Sequence, residues 1–470
     1  MTEPTPAATS ALTSTQTAVC VDFGSTWTKA LHVDLATGDL LGTASSPTRL
    51  PPEADIMTAY DDCLAVLAEQ DARAATAATF ACSSAGGGLR IAVVGNEELV
   101  TAEAGRRVAL TSGGRVVAVV GRAAEDALDR VLDATDPDLV LLTGGTDGGN
   151  SEILLTAARD LAELAANGVW RGPVVVAGNV AARTEVAEIL AGVPHVHADN
   201  VVPRIGELAP HSARAAVREA FLAHVIGGKQ LSARPEFLDM VVGPTPDVVL
   251  TGVELLARLV GDVVVVDIGG ATTDVHSVVQ PDPEEASLHQ EVVAVTAATR
   301  TVEGDLGMRW SAPSTVESAR LKELADAARR RHDTPGWLPT SEAERADETR
   351  IAHAAAEIAL RRHAGRARAM MEPPVGAARP GKVIERSGVD LRRVRLVIGS
   401  GGVLRHGGPR LVERVLTWDA AGGWLLPEAP TVRIDGDYVL AAIGLLAPTH
   451  PDAARRLARR LAPAPVASSS

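Results

Sequence analysis

Apolar and polar positions along this chain alternate with two different periods, and the alternation outlines an architecture. Short Val/Leu/Ile runs end in glycine-containing turns at residues 18–24, 263–270 and 394–402, each followed by hydroxyl or glycine residues. Runs of that length bounded by turn residues predict buried strands. From 89 to 202 the pattern becomes regular: "LRIAVVG", "GRVVAVVG", "DLVLLTGG", "GPVVVAGN" and "VPHVHADN" are separated by helical stretches near 98–110, 122–133, 151–166 and 182–191. Buried parallel strands, each followed by a helix, predict a doubly wound unit of flavodoxin type. Helices are predicted over 211–231, 246–259, 314–331 and 341–363, the last followed by a loop through "MEPPVGAARPGK". A final helix is predicted near 438–446.

Composition narrows the picture. The 470 residues allow two or three domains with substantial cores. Aromatics are only 3%, so the cores must be built from Ala, Val and Leu, which suits Val-rich strands under Ala/Leu-rich helices. A net charge of −14 argues against nucleic acid as a main partner, because phosphate binding needs a basic surface. No apolar stretch approaches the ~20 residues of a membrane span, and the first 17 residues lack the basic and apolar regions of a signal peptide. Cys20, Cys63 and Cys82 form no CxxC pair, so they read as the reduced thiols of a cytoplasmic protein.

The turns carry the candidate chemistry. "VCVDFGSTWTKALHVD" (19–34) places Asp22, Gly24, Ser25, Thr26 and Lys29 around one bend. Such a bend either joins two strands or forms half of a nucleotide clamp. "GDVVVVDIGGATTDVHSV" (261–278) repeats the logic with Asp267, Gly269, Gly270, Thr272, Thr273 and Asp274. Asp22 and Asp267 both stand where a strand ends, so their carboxylates can hold a hydrated Mg²⁺. The glycines let backbone approach phosphate oxygens, and the hydroxyls supply donors. In "VRLVIGSGGVLRHGG" the side-chain-free turn Gly399-Ser400-Gly401-Gly402 lets a flat ring or ribose come close. Ala441, Ala442 and Gly444 in the final helix permit close packing at a hinge. One hairpin alone reads more readily as a structural turn; two related ones in the two halves are a stronger signal.

This ordered set resembles the actin/sugar-kinase/heat-shock-chaperone ATPase superfamily. Its phosphate-1, phosphate-2, adenosine and connecting-helix elements fall on Asp22–Lys29, Asp267–Asp274, Gly399–Gly402 and the helix near 438–446. The resemblance implies an α/β fold of duplicated actin-like (ribonuclease-H-like) lobes closing on ATP and Mg²⁺, with Asp22, Lys29 and Asp267 as catalytic residues. The first lobe would take 18–88 and 203–262, the flavodoxin-like segment 89–202 would be inserted in it, and the second lobe would take 263–450. Residues 1–17 would be a disordered tail, and 451–470 a helix end followed by another.

Longer strings are more specific. "CSSAGGGLRIAVVG", "LLTGGTDGGN", "NVVPRIGEL" and above all "TRTVEGDLGMR" resemble the MutL/GlmL glutamate mutase accessory proteins, over about residues 18–450. That implies an ATP-dependent reactivating chaperone that releases damaged cobalamin from an adenosylcobalamin-dependent mutase, with homo-oligomerisation left open. A small-molecule kinase or a hydantoinase-like ATPase would use the same cleft. An actin-type filament has no supporting string, and an iron–sulfur activator is excluded by three scattered cysteines.

Other strings are weighed on their residues. "TGGTDGGN" (143–150) is either an anion-binding helix start or a tight turn needing glycines. Glu303, Asp305 and Arg309 are either a solvated loop or a device placing one acid in the cleft to position water or Mg²⁺. His195 and His197 share a strand face without a Cys/Asp partner set for zinc. The 89–202 array lacks the Asp-x-His-x-x-Gly cobalt-ligand pattern, so it should not bind cobalamin through histidine. It remains the expected contact surface for a client, removable without loss of ATP turnover.

Overall fold

Residues 17–47 form an antiparallel meander of β1 (Thr17–Phe23), β2 (Trp27–Asp34) and β3 (Leu40–Pro47). The computed structural model describes residues 16–95, 101–121, 128–280, 296–370, 383–418 and 422–463. Two parallel strands, β4 (Ala78–Ser83) and β10 (Val241–Pro244), extend the sheet beyond β1, giving the order β10-β4-β1-β2-β3. The second half repeats the plan. There β11 (Val263–Ile268), β12 (Thr273–Val278) and β13 (Ala298–Glu303) form the meander, and β16 (Leu396–Ser400) and β17 (Thr431–Ile434) lie parallel beyond β11. In each sheet the first strand is central, its meander lies to one side and two later strands to the other. This is the duplicated actin-like, ribonuclease-H-like arrangement expected.

Side-chain alternation along the central strands joins the two sheets. Ala18 and Cys20 of β1, with Val263 and Val265 of β11, face one common core. Val19, Val21 and Phe23 face an outer core of the first lobe, and Val264, Val266 and Ile268 an outer core of the second. The common core holds the helices Thr245–Val260 and Val439–Leu446. They approach so closely that a Cβ on Gly252 would run into the Leu440 carbonyl, and one on Gly444 into that of Val248. The small residues of the final helix therefore pack at the seam between the lobes. Thr245–Val260 is also the segment by which the chain passes from β10 to β11.

Between β4 and β10 the chain builds a third sheet from β5 (Leu89–Val94), β6 (Gly114–Val120), β7 (Leu139–Leu142), β8 (Val174–Val176) and β9 (His195–His197). All its pairs are parallel and its order is β6-β5-β7-β8-β9, the flavodoxin order. It is not detachable. Ile91 and Val93 of β5, with Ala104 and Val108 of the helix Thr101–Thr111, share the core of Val21 and Phe23. Deleting this array would therefore strip one wall of the first lobe's core.

Two further expectations change. The single helix expected over 314–331 is divided into Ala312–Ser318, a short turn at Lys322–Leu324, and Ala325–Asp333. Arg320 adopts φ +58 there, a left-handed conformation that ends a helix. After the helix Glu342–His363, whose start is a capping box of Ser341 and Glu344, a hairpin of β14 (Arg366–Met370) and β15 (Val383–Ser387) appears. The expected loop at 371–382 lies outside the described residues, as do 1–15 and 464–470 of the expected tails.

Candidate functional site

The antiparallel register of β1 and β2 sets Asp22 opposite Lys29, so both side chains project from one face at the strand end. Lys29 Nζ donates to Asp22 Oδ2 at 3.1 Å. The other carboxylate oxygen accepts the Thr245 hydroxyl at 2.7 Å and the Cys82 thiol at 3.7 Å. The bend needs Gly24, because a Cβ there would stand 2.6 Å from the Trp27 carbonyl oxygen. Ser25 is exposed, whereas Thr26 Oγ1 is buried without a protein partner.

Asp267 ends β11, opposite Asp274 on β12 and Ser400 on β16, and it accepts the Ser400 hydroxyl. Burial, reinforced by the charges of Asp274 and Asp22, lifts its pKa to about 6 against the pull of Lys29. Burial by itself would lower the Lys29 pKa, but Asp22, Tyr438 and Asp267 hold it above the ordinary lysine value. A Cβ on Gly270 would lie 3.2 Å from Thr26 Oγ1, so the two turns face each other across the lobes. Thr272 Oγ1 donates to Asp274 Oδ2 at 2.9 Å, while Thr273 is fully buried with its Oγ1 unpartnered.

The "TRTVEGDLGMR" string braces this second turn from behind. The N–H groups of Met308 and Arg309 donate to the carbonyls of Gly269 and Gly270 at 3.0 and 2.8 Å. The Ser311 hydroxyl donates to the Ala271 carbonyl at 2.6 Å. The Arg309 guanidinium reaches Glu348 Oε1 at 3.2 Å, and Arg331 Nε reaches Glu348 Oε2 at 2.8 Å. Glu303 and Asp305 are both clasped by Arg362, at 2.6 and 2.7 Å. Their carboxylates are thus joined by one guanidinium.

In the third turn Gly401 has φ +102, and a Cβ there would run into the Ile268 carbonyl. Gly399 is hemmed in by Leu404, Ile434 and Leu416, and Gly402 opens the short helix Gly402–His406. Tyr438, itself left-handed at φ +58, lies between two cations. Its ring centre is 4.5 Å from Lys29 Nζ and 4.7 Å from the Arg405 guanidinium carbon. The buried Asp435 accepts the N–H groups of Val439 and Leu440 at 2.8 and 3.0 Å, capping the final helix. Burial lifts its pKa to about 6 although those N–H groups oppose the rise, and Asp267 adds to it.

Asp22, Lys29, Asp267 and Ser400 are therefore gathered, the two hairpin turns meet, and the third turn closes against β11. Sequence reasoning missed Thr245, Arg405, Asp435 and Tyr438. "RIDGDY" held a signal, being another Asp-Gly turn that follows a strand and precedes an apolar helix. Among the described residues no group of three or more His, Cys, Asp and Glu forms a cage for a metal. Asp22 and Asp267 nevertheless fit a hydrated Mg²⁺, which takes one or two carboxylates and completes its shell with water and phosphate oxygens. The pKa of Asp267 is raised first by burial, with smaller contributions from the charges of Asp274 and Asp22. The unpartnered Thr26 hydroxyl beside Gly270 is a donor available to an anion.

The turn at 143–150 uses its glycines internally. Gly145 and Gly148 have φ +69 and +71, and the Asn179 side chain bonds the N–H of Gly148 and the carbonyl of Gly149, each at 3.0 Å. The rings of His195 and His197 meet edge to face at 5.2 Å.

A family model described as MutL protein matches residues 18–461. The protein MutL of Clostridium tetanomorphum is 35% identical over 463 residues, which cover 94% of this chain and 98% of that protein. Among solved structures, the ATP-dependent caprolactamase from Pseudomonas jessenii aligns over 91% of this chain and 70% of its own, at 14% identity and TM-score 0.37. Nucleotide-free acetone carboxylase aligns over 62% of this chain at 17% identity and TM-score 0.30, and this chain spans 48% of that one's length.

Proposed function

This chain belongs to the MutL protein family, and from that membership we propose that it is an ATP-dependent reactivating chaperone for an adenosylcobalamin-dependent mutase of glutamate mutase type. The observation that carries the reading is the gathering of Asp22, Lys29 and Asp267 between two Asp-Gly-hydroxyl turns that face each other across duplicated lobes.

Phosphoryl transfer to water asks the protein mainly for positioning and charge stabilisation. Lys29, kept protonated by its acidic neighbours, places a positive charge where phosphate oxygens would lie. The backbone N–H of Gly270 and the hydroxyls of Ser25, Thr26 and Thr272 would be the donors for the phosphates, whereas the N–H groups of Gly24 and Gly269 are taken by the carbonyls of Asp22 and Thr272, and Thr273 is fully buried. Gly402, where a Cβ would meet nothing nearer than the Tyr438 hydroxyl at 3.9 Å, would leave room for the nucleoside, whereas the glycines at 399 and 401 are required by packing against Leu404, Ile434, Leu416 and the Ile268 carbonyl. Asp22 and Asp267 would hold Mg²⁺ through water, and the ion would neutralise charge developing on the phosphates. Asp267, whose pKa burial raises, would orient and deprotonate the attacking water.

Contacts to one nucleotide from both lobes would favour the closed arrangement. If the closed and open forms bind the client differently, turnover can drive its remodelling. Among the described residues no helix is long and apolar enough to cross a membrane. The test is to inactivate a glutamate mutase-type enzyme and add this protein with ATP, Mg²⁺ and fresh cofactor. Recovery of product formation that requires ATP, and that is lost in Asp22→Asn/Asp267→Asn, is expected. Wild-type hydrolysis by the double variant, or phosphorylation of a small metabolite without rescue, would overturn the reading.

A further inference from the structure

Arg300 lies in the string "TRTVEGDLGMR" and on β13, and it is 3% exposed. On one side its Nε and one terminal nitrogen donate to Asp274 Oδ1 at 3.0 and 2.6 Å. On the other side the second terminal nitrogen donates to the backbone carbonyls of Leu110 and Gly114, at 2.9 and 3.1 Å. Leu110 belongs to the last turn of the helix Thr101–Thr111, and Gly114 is the first residue of β6, so both carbonyls belong to the inserted sheet. A cation at a helix C-terminus is favoured by the helix dipole and by carbonyls that lack intrahelical partners. A second contact runs beside the first, since a Cβ on Gly304 would lie 3.1 Å from the Arg115 guanidinium of β6.

Asp274 has another partner, the hydroxyl of Thr272. A hydroxyl carries one proton. If Thr272 donates that proton to a phosphate oxygen, it cannot also donate it to Asp274. Phosphate and Asp274 thus compete for one donor, and among the described residues Asp274 then relies on Arg300. A guanidinium offers five donors in a rigid fork, so the four hydrogen bonds of Arg300 cannot be retuned independently.

We propose that Arg300 is a positioning residue that couples phosphate occupancy of the second turn, through Thr272 and Asp274, to the inserted sheet at Leu110 and Gly114. This rests on the nucleotide reading above and adds the route by which the site reaches the segment furthest from it in kind. When the Thr272 hydroxyl turns its hydrogen bond to phosphate, Arg300 is drawn toward Asp274 and its hold on the two carbonyls loosens.

The experiment is amide hydrogen exchange on the full-length protein, with and without a non-hydrolysable ATP analogue and Mg²⁺, alongside calorimetric titration of the same nucleotide. Exchange in Thr101–Thr111 and Gly114–Val120 should speed up by about three- to tenfold when nucleotide binds, as for the loss of roughly one hydrogen bond. Arg300→Lys keeps the charge but loses the fork, and should bind the nucleotide within about threefold of wild type while losing this response. Nucleotide binding by the wild type without any change in those segments overturns the coupling and leaves the nucleotide site intact. A response equal to wild type in Arg300→Lys overturns it as well. Absence of nucleotide binding by the wild type overturns the nucleotide reading and the coupling together. The wild-type comparison decides the matter even if Arg300→Lys does not fold.

Discussion

Lys29 Nζ stands 3.1 Å from Asp22 Oδ2, its cross-strand register partner on β1. The pair lies beside Asp267, so this one ammonium offsets carboxylates from both lobes. Replacing Lys29 by Ala should lower kcat for ATP hydrolysis tenfold or more, about 1.4 kcal/mol or more of transition-state stabilisation. Steady-state phosphate release measures it, and an unchanged rate would leave Lys29 a counter-ion only.

Tyr438 combines a left-handed backbone with a ring held between Lys29 and Arg405. The two features separate in a variant pair. Tyr438→Ala loses the ring and keeps the strain, whereas Tyr438→Gly loses both, so the Gly protein should be more stable by about 1 kcal/mol. Tyr438→Phe keeps the ring and should unfold near the wild type. Denaturant midpoints give the ranking, and Ala above Gly would contradict the strained backbone.

The seam between the lobes depends on the absence of a side chain at Gly444, where a Cβ would meet the Val248 carbonyl. Gly444→Ala should cost about 1–3 kcal/mol, since a tightly packed core resists one added methyl group. Calorimetry should show a lower Tm, and an unchanged Tm would mean that these two helices do not touch there.

Buried His363 sits between the hydroxyls of Thr301 and Ser277, at 3.1 and 2.8 Å. Burial lowers its pKa to about 4 from the 6.5 of an exposed imidazole, so the fold favours the neutral ring. A depressed histidine pKa means that stability is in place above pH 6.5 and is lost as the pH falls from there toward 4. The full loss is on the order of 3 kcal/mol. His363→Gln should flatten the stability curve across that window in urea titrations, and a slope equal to the wild type would refute the neutral buried ring.

Much of this molecule was legible in one dimension because its signals are local. Buried strands read as Val-rich runs, so the β1 and β11 turns and the five parallel strands of the insert were placed from their apolar pattern. Glycines in the Asp-Gly-hydroxyl turns and in the glycine-rich third turn mark where backbone must approach something closely, which singled out Gly24, Gly269, Gly270 and Gly401. The edge strands β3, β13 and β17 were not legible, since a half-exposed strand carries a weaker apolar run. Nor was the break at Arg320, where no glycine or proline announces the left-handed residue.

By itself the sequence determined the chemistry on offer: two acid-glycine-hydroxyl turns, a lysine, a glycine-rich third turn and a parallel α/β insert. Each follows from residue type and short-range spacing. Only the tertiary structure decided which of these meet. Thr26 faces Gly270 and Lys29 joins Asp267 because alternate residues of two strands far apart in the chain bury themselves in one shared core. Arg300 and Tyr438 owe their places to the same cause. A guanidinium or a phenol shows no local sign of its partner, because its contacts come from segments that only the burial of apolar surface brings together.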